Sequence, residues 1–422
     1  MPIDVLSLII FIACIVLFVW DKLPMATTAI LGCALMVISG VCEFSDAFGS
    51  FASSTVVLTI GVMIIGAAIG ETGLAATIGN WIVKVSKNSQ TKLIIGTYLV
   101  SAALSAFLTN SAVLAIFIPI IMGLSDTNKN IKTKNLIMPI AFGCIIGGAS
   151  TLVGSTQQMT AQGLLEEAGA QTFKTFDFSL VGGVLVILGL LYCLFIGVKR
   201  GEKIWGDRPD ESEYQANANT QSFSKVKMII VACIFAATVV FYITEWLPLA
   251  VTSTIAALLC IICGCISQKK AISAVNWNII GRLAGCLGLA KALEIAGGTK
   301  LIVTGFKALV GNSFSPFLLF CIIVLLTQLT SELISNSTAI LMVLPIVISI
   351  APETGLNPYS FALGATLASG IALSCPLASS TLGMSMCVGY RFNDYFKYSI
   401  LFDIISYLTI IIMVPAIYGL TI

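Results

Sequence analysis

The chain lacks histidine and has little charge of either sign. None of its 422 residues is histidine, which excludes Ser-His catalytic triads, histidine-ligated zinc and imidazole general bases. Charged residues make up 10% of the sequence, whereas a soluble domain carries roughly a quarter. The formal net charge of +2 indicates no basic face for nucleic acid. A soluble globular enzyme and a nucleic-acid-binding protein are therefore both excluded.

Hydrophobic residues are abundant, at 58% of the chain, and they fall in long runs. A helix needs about 20 apolar residues to cross a bilayer. We interpret ten runs as membrane spans: 4–20, 24–41, 54–70, 135–153, 179–198, 227–244, 247–266, 277–293, 358–376 and 398–420. The sequence thus predicts an all-α integral membrane protein that is surrounded by membrane lipid.

Two further apolar blocks, 92–124 and 315–350, are each interrupted by a polar triplet. The triplets are Thr109-Asn110-Ser111 and Ser335-Asn336-Ser337. The apolar arm after each triplet is only about 13 residues, or ~20 Å of helix, against a hydrocarbon core of ~30 Å. Such an arm returns to the side it entered from more easily than it crosses. Both blocks are therefore predicted to be re-entrant hairpins.

The basic residues predict the orientation in the membrane. If the N-terminus is extracytoplasmic, most of the 22 Lys and Arg residues fall in cytoplasmic segments, as the positive-inside rule requires. Both termini are then extracytoplasmic, in a multi-pass protein of the plasma (inner) membrane. The hydrophilic segment 199–225 is predicted to be a cytoplasmic linker. Segments 73–87 and 298–310 are amphipathic and are expected to lie along the interface.

The chain contains an internal repeat. The segment from Ser105 to Pro119 aligns with the segment from Ser331 to Pro345, at an offset of 226 residues. The repeats are about 1–198 and 226–422, with five spans each, so the second is inverted relative to the first. An inverted repeat with interrupted hydrophobic segments at matching positions is typical of a secondary transporter.

A second interruption follows each hairpin. Residues 147–158 and 374–381 are rich in Gly, Pro, Ser and Thr, and they predict broken helices within 135–168 and 358–388. Hydroxyl, amide and carbonyl oxygens at such breaks suit Na⁺, and helix N-termini suit an anion. Such an anion site would need no arginine. Four other glycines in these regions are interpreted as allowing close helix packing: Gly143, Gly147, Gly182 and Gly183.

These features resemble the divalent anion:sodium symporter (DASS) family of the ion transporter superfamily. The resemblance rests on the paired triplets, on Thr330-Ser-Glu-Leu-Ile-Ser-Asn336, and on Trp277-Asn-Ile-Ile-Gly281 followed by Leu289-Ala-Lys-Ala. It extends over nearly the whole chain. It implies a homodimer with an elevator mechanism, in which a moving part (92–198 and 314–422) slides past a scaffold (1–72 and 226–293).

The resemblance also implies the site residues. Two sodium ions, the coupling ions, would be bound at Ser105, Thr109, Asn110 and Gly154, and at Ser331, Ser335, Asn336 and Ala378. A C4-dicarboxylate or citrate-like anion would contact Asn110, Ser111, Ser155 and Thr156 from one repeat, and Asn336, Ser337, Ser379 and Ser380 from the other. No organic cofactor is implied.

Departures from the family pattern leave the substrate and the coupling open. Ser replaces the usual Thr at positions 111 and 337, and Gln157-Gln158 and Thr381-Leu382 stand where Pro-Pro-Asn is usual. The alternatives are a Na⁺-independent dicarboxylate exchanger and a transporter of sulfate or another oxyanion. A Na⁺/H⁺ antiporter is a weaker alternative, because the intramembrane carboxyl groups have no counterparts in the other repeat. A membrane enzyme is weaker still.

Overall fold

The computed structural model describes residues 2–20, 23–86, 89–127, 132–206, 224–301, 304, 315–376 and 379–421. This described part is nearly all helical, with 81% of it in helices. The described part contains no strands, only an isolated bridge between Leu356 and Thr421. The predicted all-α class is therefore confirmed.

Eleven α-helices lie in the described part of residues 1–206. They are α1 (Ile3–Trp20), α2 (Met25–Ile38), α3 (Phe44–Phe48), α4 (Ser54–Glu71), α5 (Leu74–Val85), α6 (Gln90–Ser105), α7 (Asn110–Thr127), α8 (Thr133–Gly148), α9 (Thr156–Glu167), α10 (Ser179–Tyr192) and α11 (Val198–Trp205). A short π-helical segment, Cys193–Gly197, joins α10 to α11 without a break.

The helices described after residue 223 are α12 (Lys225–Thr244), α13 (Leu249–Ile262), α14 (Gln268–Ala274), α15 (Trp277–Ile295), α16 (Pro316–Leu333), α17 (Asn336–Thr354), α18 (Pro358–Gly370), α19 (Ser380–Ser385) and α20 (Phe392–Tyr418). Helix pairs α6–α7 and α16–α17 are each joined by a few residues at a polar triplet. Helix pairs α8–α9 and α18–α19 are each separated by an irregular segment, so the same order of elements occurs twice.

Five stretches are long and apolar enough to cross a membrane: Phe44–Glu71, Ser179–Trp205, Lys225–Thr244, Pro316–Leu333 and Phe392–Tyr418. Several shorter apolar helices accompany them, including Met25–Ile38, Thr133–Gly148 and Leu249–Ile262. Many of the exposed side chains on these helices are Leu, Ile, Val and Phe, as expected for a surface that faces lipid.

The hairpin arms are longer than the sequence predicts. Helices α7 and α17 have 18 and 19 residues, of which the first two belong to the triplet, so 16 and 17 residues follow the triplets rather than about 13. The apolar run defined the expected length, but each helix continues through polar residues such as Ser125 and Thr354. The hydroxyls of these two residues bond carbonyls one turn back, at 2.9 and 2.7 Å, so the polar turns remain helical.

The start of the predicted linker 199–225 is not a solvated loop. The helix that begins at Ser179 continues to Trp205, whose side chain is only 1% exposed. The Trp205 indole Nε1–H donates a 2.9 Å hydrogen bond to Asn135 Oδ1 on α8. This contact corrects the prediction for 199–206, while residues 207–223 lie outside the described part.

The two segments predicted to lie along the interface differ in how much is described. Residues 74–85 form the amphipathic helix α5, which has Trp81 exposed and Ile82 buried. The segment 298–310 lies mostly outside the described residues.

Close helix packing explains three of the four glycines. Added methyl groups would overlap α6 at Gly143 and Gly147, and one at Gly182 would lie 2.8 Å from Ser150. At Gly183 nothing lies within 4 Å of the added carbon, so the packing interpretation of this position is wrong. The glycine face of α8 thus brings the first broken helix against the first hairpin.

Candidate transport site

A cavity of about 750 Å³ lies where the two hairpin tips meet the two helix breaks. All eight residues predicted to contact substrate line it: Asn110, Ser111, Ser155, Thr156, Asn336, Ser337, Ser379 and Ser380. Five of the predicted sodium ligands line it, since Thr109, Gly154 and Ser335 join Asn110 and Asn336, which were predicted for both roles. The fold therefore brings together residues that are up to about 270 positions apart in the sequence.

In the first repeat, the tip and the break share a polar cluster. Ser105 Oγ, at the end of α6, lies 2.7 Å from Asn110 Oδ1, and Asn110 Nδ2 donates to Ser155 Oγ at 3.3 Å. A methyl group at Gly148 would overlap Asn110 Oδ1, and one at Gly154 would lie 2.9 Å from the Ser105 carbonyl oxygen. Only glycine at these two positions leaves the oxygens room to converge.

The second repeat contains the same contact at the same offset. Ser331 Oγ lies 2.9 Å from Asn336 Oδ1 and 2.8 Å from the carbonyl oxygen of Ser369, near the end of α18. Ser105 and Ser331 do not line the cavity but are fully buried behind the two asparagines. The remaining predicted sodium ligand, Ala378, lies outside the described residues.

A hydrogen bond joins the two repeats across the cavity. Thr156 Oγ1, at the start of α9, lies 3.0 Å from Ser337 Oγ in the first turn of α17. Because Thr156 belongs to the first broken helix and Ser337 to the second hairpin, this contact links the two repeats at the cavity.

Helix ends give the cavity its electrostatic character. The carboxyl ends of α6, α8 and α18 lie at the two polar clusters, and their partly negative carbonyls favour cations there. The amino ends of α7, α9 and α17 carry the cavity-lining residues Asn110, Thr156 and Asn336. Their free N–H groups favour an anion in the cavity. The arrangement can therefore hold an anion beside bound cations.

Arg282 lines the cavity, although the sequence analysis did not assign it to the site. It lies in the second turn of α15 and is the only Arg, Lys, Asp or Glu among the described residues that line the cavity. The sequence analysis expected an anion site that needs no arginine, whereas the structure places this arginine in the wall of the cavity. The available signal was the presence of an arginine inside an apolar span, which marks a functional position by default.

Two glutamines occupy the first helix break, where the family pattern has Pro-Pro-Asn. Gln157 lines the cavity, and its buried Nε2 has no hydrogen-bond partner among the described residues. Gln158 is fully buried, and its Nε2 donates to the carbonyl oxygen of Gly148 at 3.2 Å. Gln157 therefore carries an unpaired donor that is buried beside Gly370, whereas Gln158 supports the end of α8.

The buried carboxyl groups of the second repeat hold the backbone of the second break. Glu332 Oε1 accepts from the Ser374 amide at 3.1 Å, and Asp403 Oδ1 accepts from the Leu373 amide at 3.3 Å. The Ser374 hydroxyl also donates to Asp403. These contacts give Glu332 and Asp403 a structural role at the second break.

Comparison with known proteins identifies the family. The citrate transporter family model matches residues 15–315 and 239–422, which together span most of the chain. The chain belongs to the citrate transporter family. This membership confirms the resemblance to the divalent anion:sodium symporters. It also makes the protein a multi-pass membrane transporter and not an enzyme.

Two relatives of this citrate transporter family member are distant in sequence but similar along most of their length. An uncharacterised transporter of Synechocystis is 21% identical, with 98% of this chain and 97% of the relative covered. The sodium-dependent dicarboxylate transporter SdcS of Staphylococcus aureus is 22% identical, with 86% and 76% covered.

Solved structures show the same fold at low identity. The YdaH transporter of Alcanivorax borkumensis superposes with a TM-score of 0.68 at 13% identity, and 98% of each chain is covered. MtrF of Neisseria gonorrhoeae gives a TM-score of 0.62 at 10% identity, with 90% of this chain and 83% of that chain covered. These similarities concern the fold alone.

Proposed function

We propose that this protein imports small divalent carboxylates, of the C4-dicarboxylate or citrate type, together with Na⁺. The observation that carries the proposal is the Ser–Asn contact that occurs in both repeats beside one cavity. Ser105 with Asn110 and Ser331 with Asn336 have the same spacing and nearly the same distance. Two equivalent oxygen clusters that flank one polar cavity suit two cations and one anion.

The oxygen clusters have the ligand chemistry that Na⁺ requires. Each combines an asparagine Oδ1 and a serine Oγ with a backbone carbonyl at the carboxyl end of a helix, α6 in the first cluster and α18 in the second. Transporters bind Na⁺ with unwound carbonyls and helix C-termini of this kind. The Ser369 carbonyl in one cluster and the Ser105 carbonyl in the other supply these oxygens. Bound Na⁺ would then bring positive charge next to the substrate.

The cavity suits a small anion with two separated carboxylates. Its volume of about 750 Å³ is in the range of small-molecule sites. Hydroxyl and amide donors come from both repeats, and Thr156 and Ser337 lie between the two clusters. Each repeat would bind one carboxylate of the substrate.

The transport cycle is proposed to use an elevator motion of two inverted repeats, in a homodimer. Pro24, Met25, Asn276 and Asn278 line the cavity at the starts of α2 and α15. The charge pattern predicts that these helix ends are cytoplasmic, so the cavity in this conformation opens toward the cytoplasm. The sodium-dependent dicarboxylate relative in Staphylococcus aureus supports both the substrate class and the coupling ion.

Uptake into proteoliposomes tests the proposal. Labelled succinate, citrate and sulfate are offered with and without an inward Na⁺ gradient, and with and without dicarboxylate inside. We expect succinate or citrate uptake that the Na⁺ gradient stimulates. Uptake that ignores Na⁺ but requires internal dicarboxylate would instead establish exchange. Uptake of sulfate alone would reject the carboxylate substrate.

A further inference from the structure

Arg282 has an unusual environment for an arginine in a membrane protein. Its side chain is half-buried in the wall of the cavity, and none of the ion pairs formed by described residues includes it. A cation in such a place is costly to desolvate when no anion neutralises it. A transported anion is a natural source of that negative charge.

The contacts of Arg282 point toward the hairpin of the second repeat. Nη1 lies 3.3 Å from Ser335 Oγ, and Nη2 lies 3.5 Å from Ser337 Oγ. The third neighbour is the Met25 sulfur, at 3.9 Å from Nη1. These partners are neutral and the distances are long, so the donors of the guanidinium are poorly satisfied. The group is thus held beside the hairpin tip with donors available for a stronger acceptor.

We infer that Arg282 binds a carboxylate of the transported anion directly and selects for anions with more negative charge. This inference rests on the proposed function. The planar guanidinium matches a carboxylate with two parallel N–H donors, which a neutral hydroxyl or amide does not. The carboxylate would lie beside Ser337, within reach of Thr156. Substrate would then be bound by the scaffold as well as by the moving part.

Because of its location, the contribution of Arg282 to anion binding depends on the conformation of the transporter. Helix α15 belongs to the predicted scaffold, whereas Ser335 and Ser337 belong to the predicted moving part. A sliding motion of the hairpin separates Arg282 from the tip and from any anion bound there. Arg282 therefore stabilises the complex in the conformation described here, and a ligand contact made in one conformation shifts the equilibrium toward it.

The experiment compares Arg282→Gln and Arg282→Lys with the wild type in proteoliposomes. Arg200→Gln is the matched control, because Arg200 contacts Tyr192 and lies away from the cavity. Succinate and citrate are the probes, and the half-saturating concentration of each is measured at saturating Na⁺. Size-exclusion chromatography checks that each variant is folded.

We expect Arg282→Gln to raise the half-saturating concentration of the preferred anion about tenfold or more, since a charged hydrogen-bond partner is lost. The preference for citrate over succinate should fall as well, and Arg282→Lys should restore only part of both. Arg200→Gln should match the wild type.

Three results would overturn the inference. They are an unchanged half-saturating concentration and selectivity in Arg282→Gln, a change in its maximal rate alone, and an equal loss of affinity and selectivity in the control Arg200→Gln. A wild-type protein that transports neither anion would instead reject the proposed function. If Arg282→Gln does not fold, the same measurements on Arg282→Lys test the inference. Unaltered selectivity in Arg282→Lys would contradict recognition of the anion by the two parallel N–H donors of the guanidinium.

Discussion

Asn110 and Asn336 combine two chemical roles in one side chain. Each has its Oδ1 within 2.9 Å of a buried serine hydroxyl, and each begins a hairpin helix that faces the cavity. The amide can therefore offer its oxygen to a cation and its nitrogen to an anion. A carboxylate at the same position would repel the anion, and a hydroxyl would be too short to reach both.

Replacement of either asparagine by alanine should strongly reduce Na⁺-dependent uptake. We expect at least a tenfold loss for Asn110→Ala and for Asn336→Ala, with a higher half-saturating Na⁺ concentration, because each removes a cluster oxygen. Initial rates at several Na⁺ concentrations measure this. The control is Asn80→Ala on the exposed face of α5, outside the cavity. Full uptake by both cavity variants would show that the site lies elsewhere.

Gln157 should affect substrate binding more than folding. Its buried Nε2 has no partner among the described residues, so Gln157→Leu removes no internal hydrogen bond. We expect a half-saturating anion concentration that is higher by about fivefold, which corresponds to one neutral hydrogen bond. Unfolding temperature and transport kinetics are measured together.

Gln328 is the control for Gln157, because its side-chain amide does make internal hydrogen bonds. Its Nε2 donates to the Asp403 carbonyl at 3.0 Å and lies 3.2 Å from Ser406 Oγ. Gln328→Leu should therefore lower the unfolding temperature, because it leaves buried acceptors unpaired at a cost of about 1–3 kcal/mol. If Gln157→Leu behaves in the same way and anion affinity is unchanged, Gln157 is structural.

At the scale of elements, the site depends on how closely α8 approaches the first hairpin. Gly143 and Gly147 face α6 with no room for a methyl group, and Gly148 faces the tip of the hairpin. This contact places the carboxyl end of α8 beside Asn110. The glycines therefore position the proposed cation cluster without contributing side-chain atoms to it.

Gly148→Ala should disrupt the first cluster. The added methyl group would overlap Asn110 Oδ1 and lie 2.7 Å from Ser155 Oγ, so the asparagine must move. We expect loss of most uptake and a higher Na⁺ requirement, measured as initial rates over a Na⁺ series. Gly183→Ala on α10 is the matched change, because its methyl group meets nothing within 4 Å.

Gly183→Ala should retain uptake and gain stability of about 0.4–1 kcal/mol, since alanine reduces the entropy of the unfolded chain. Normal Na⁺-dependent uptake by Gly148→Ala would show that the approach of α8 is not required.

At the scale of the whole molecule, the end of α9 joins the two parts that the elevator model separates. Glu166 accepts from Ser54 Oγ at 2.6 Å and from Thr55 Oγ1 at 3.0 Å, and Glu167 accepts from Ser50 Oγ at 2.7 Å. The three hydroxyl residues belong to the predicted scaffold and α9 to the predicted moving part. An elevator motion must break these contacts.

A cross-link between these parts should stop transport. We expect a short bifunctional thiol reagent to abolish uptake by a Ser54→Cys, Glu166→Cys variant, in a background with the exposed Cys233 and Cys263 changed to serine. Uptake after reaction is compared with the fraction of cross-linked protein.

The control cross-links two residues within the scaffold. Glu71 and Lys270 form an exposed ion pair at 2.5 Å, so a Glu71→Cys, Lys270→Cys variant can react without joining the two parts. It should retain uptake. Unchanged uptake by fully cross-linked Ser54→Cys, Glu166→Cys protein would contradict a sliding motion at this contact.

Much of the site could be predicted because the signals lie within short segments. The triplets around Asn110 and Asn336 stand out as polar residues within apolar runs, and the shared offset of 226 relates them. Arg282, Gln157 and Trp205 were harder to interpret. Their roles depend on partners that no local pattern reveals, such as Ser337 for Arg282 and Asn135 for Trp205.

The sequence by itself determined that this protein is helical, lies in a membrane and contains two interrupted repeats. Hydropathy and charge act along the chain, so a linear pattern is enough to show them. Only the tertiary structure decided that Arg282 faces the cavity, that the helix from Ser179 extends to a buried Trp205, and that the end of α9 contacts α4. These contacts form between residues that are far apart in the sequence. Which side chains meet depends on how the helices pack and on which hydrogen-bond partners are close enough.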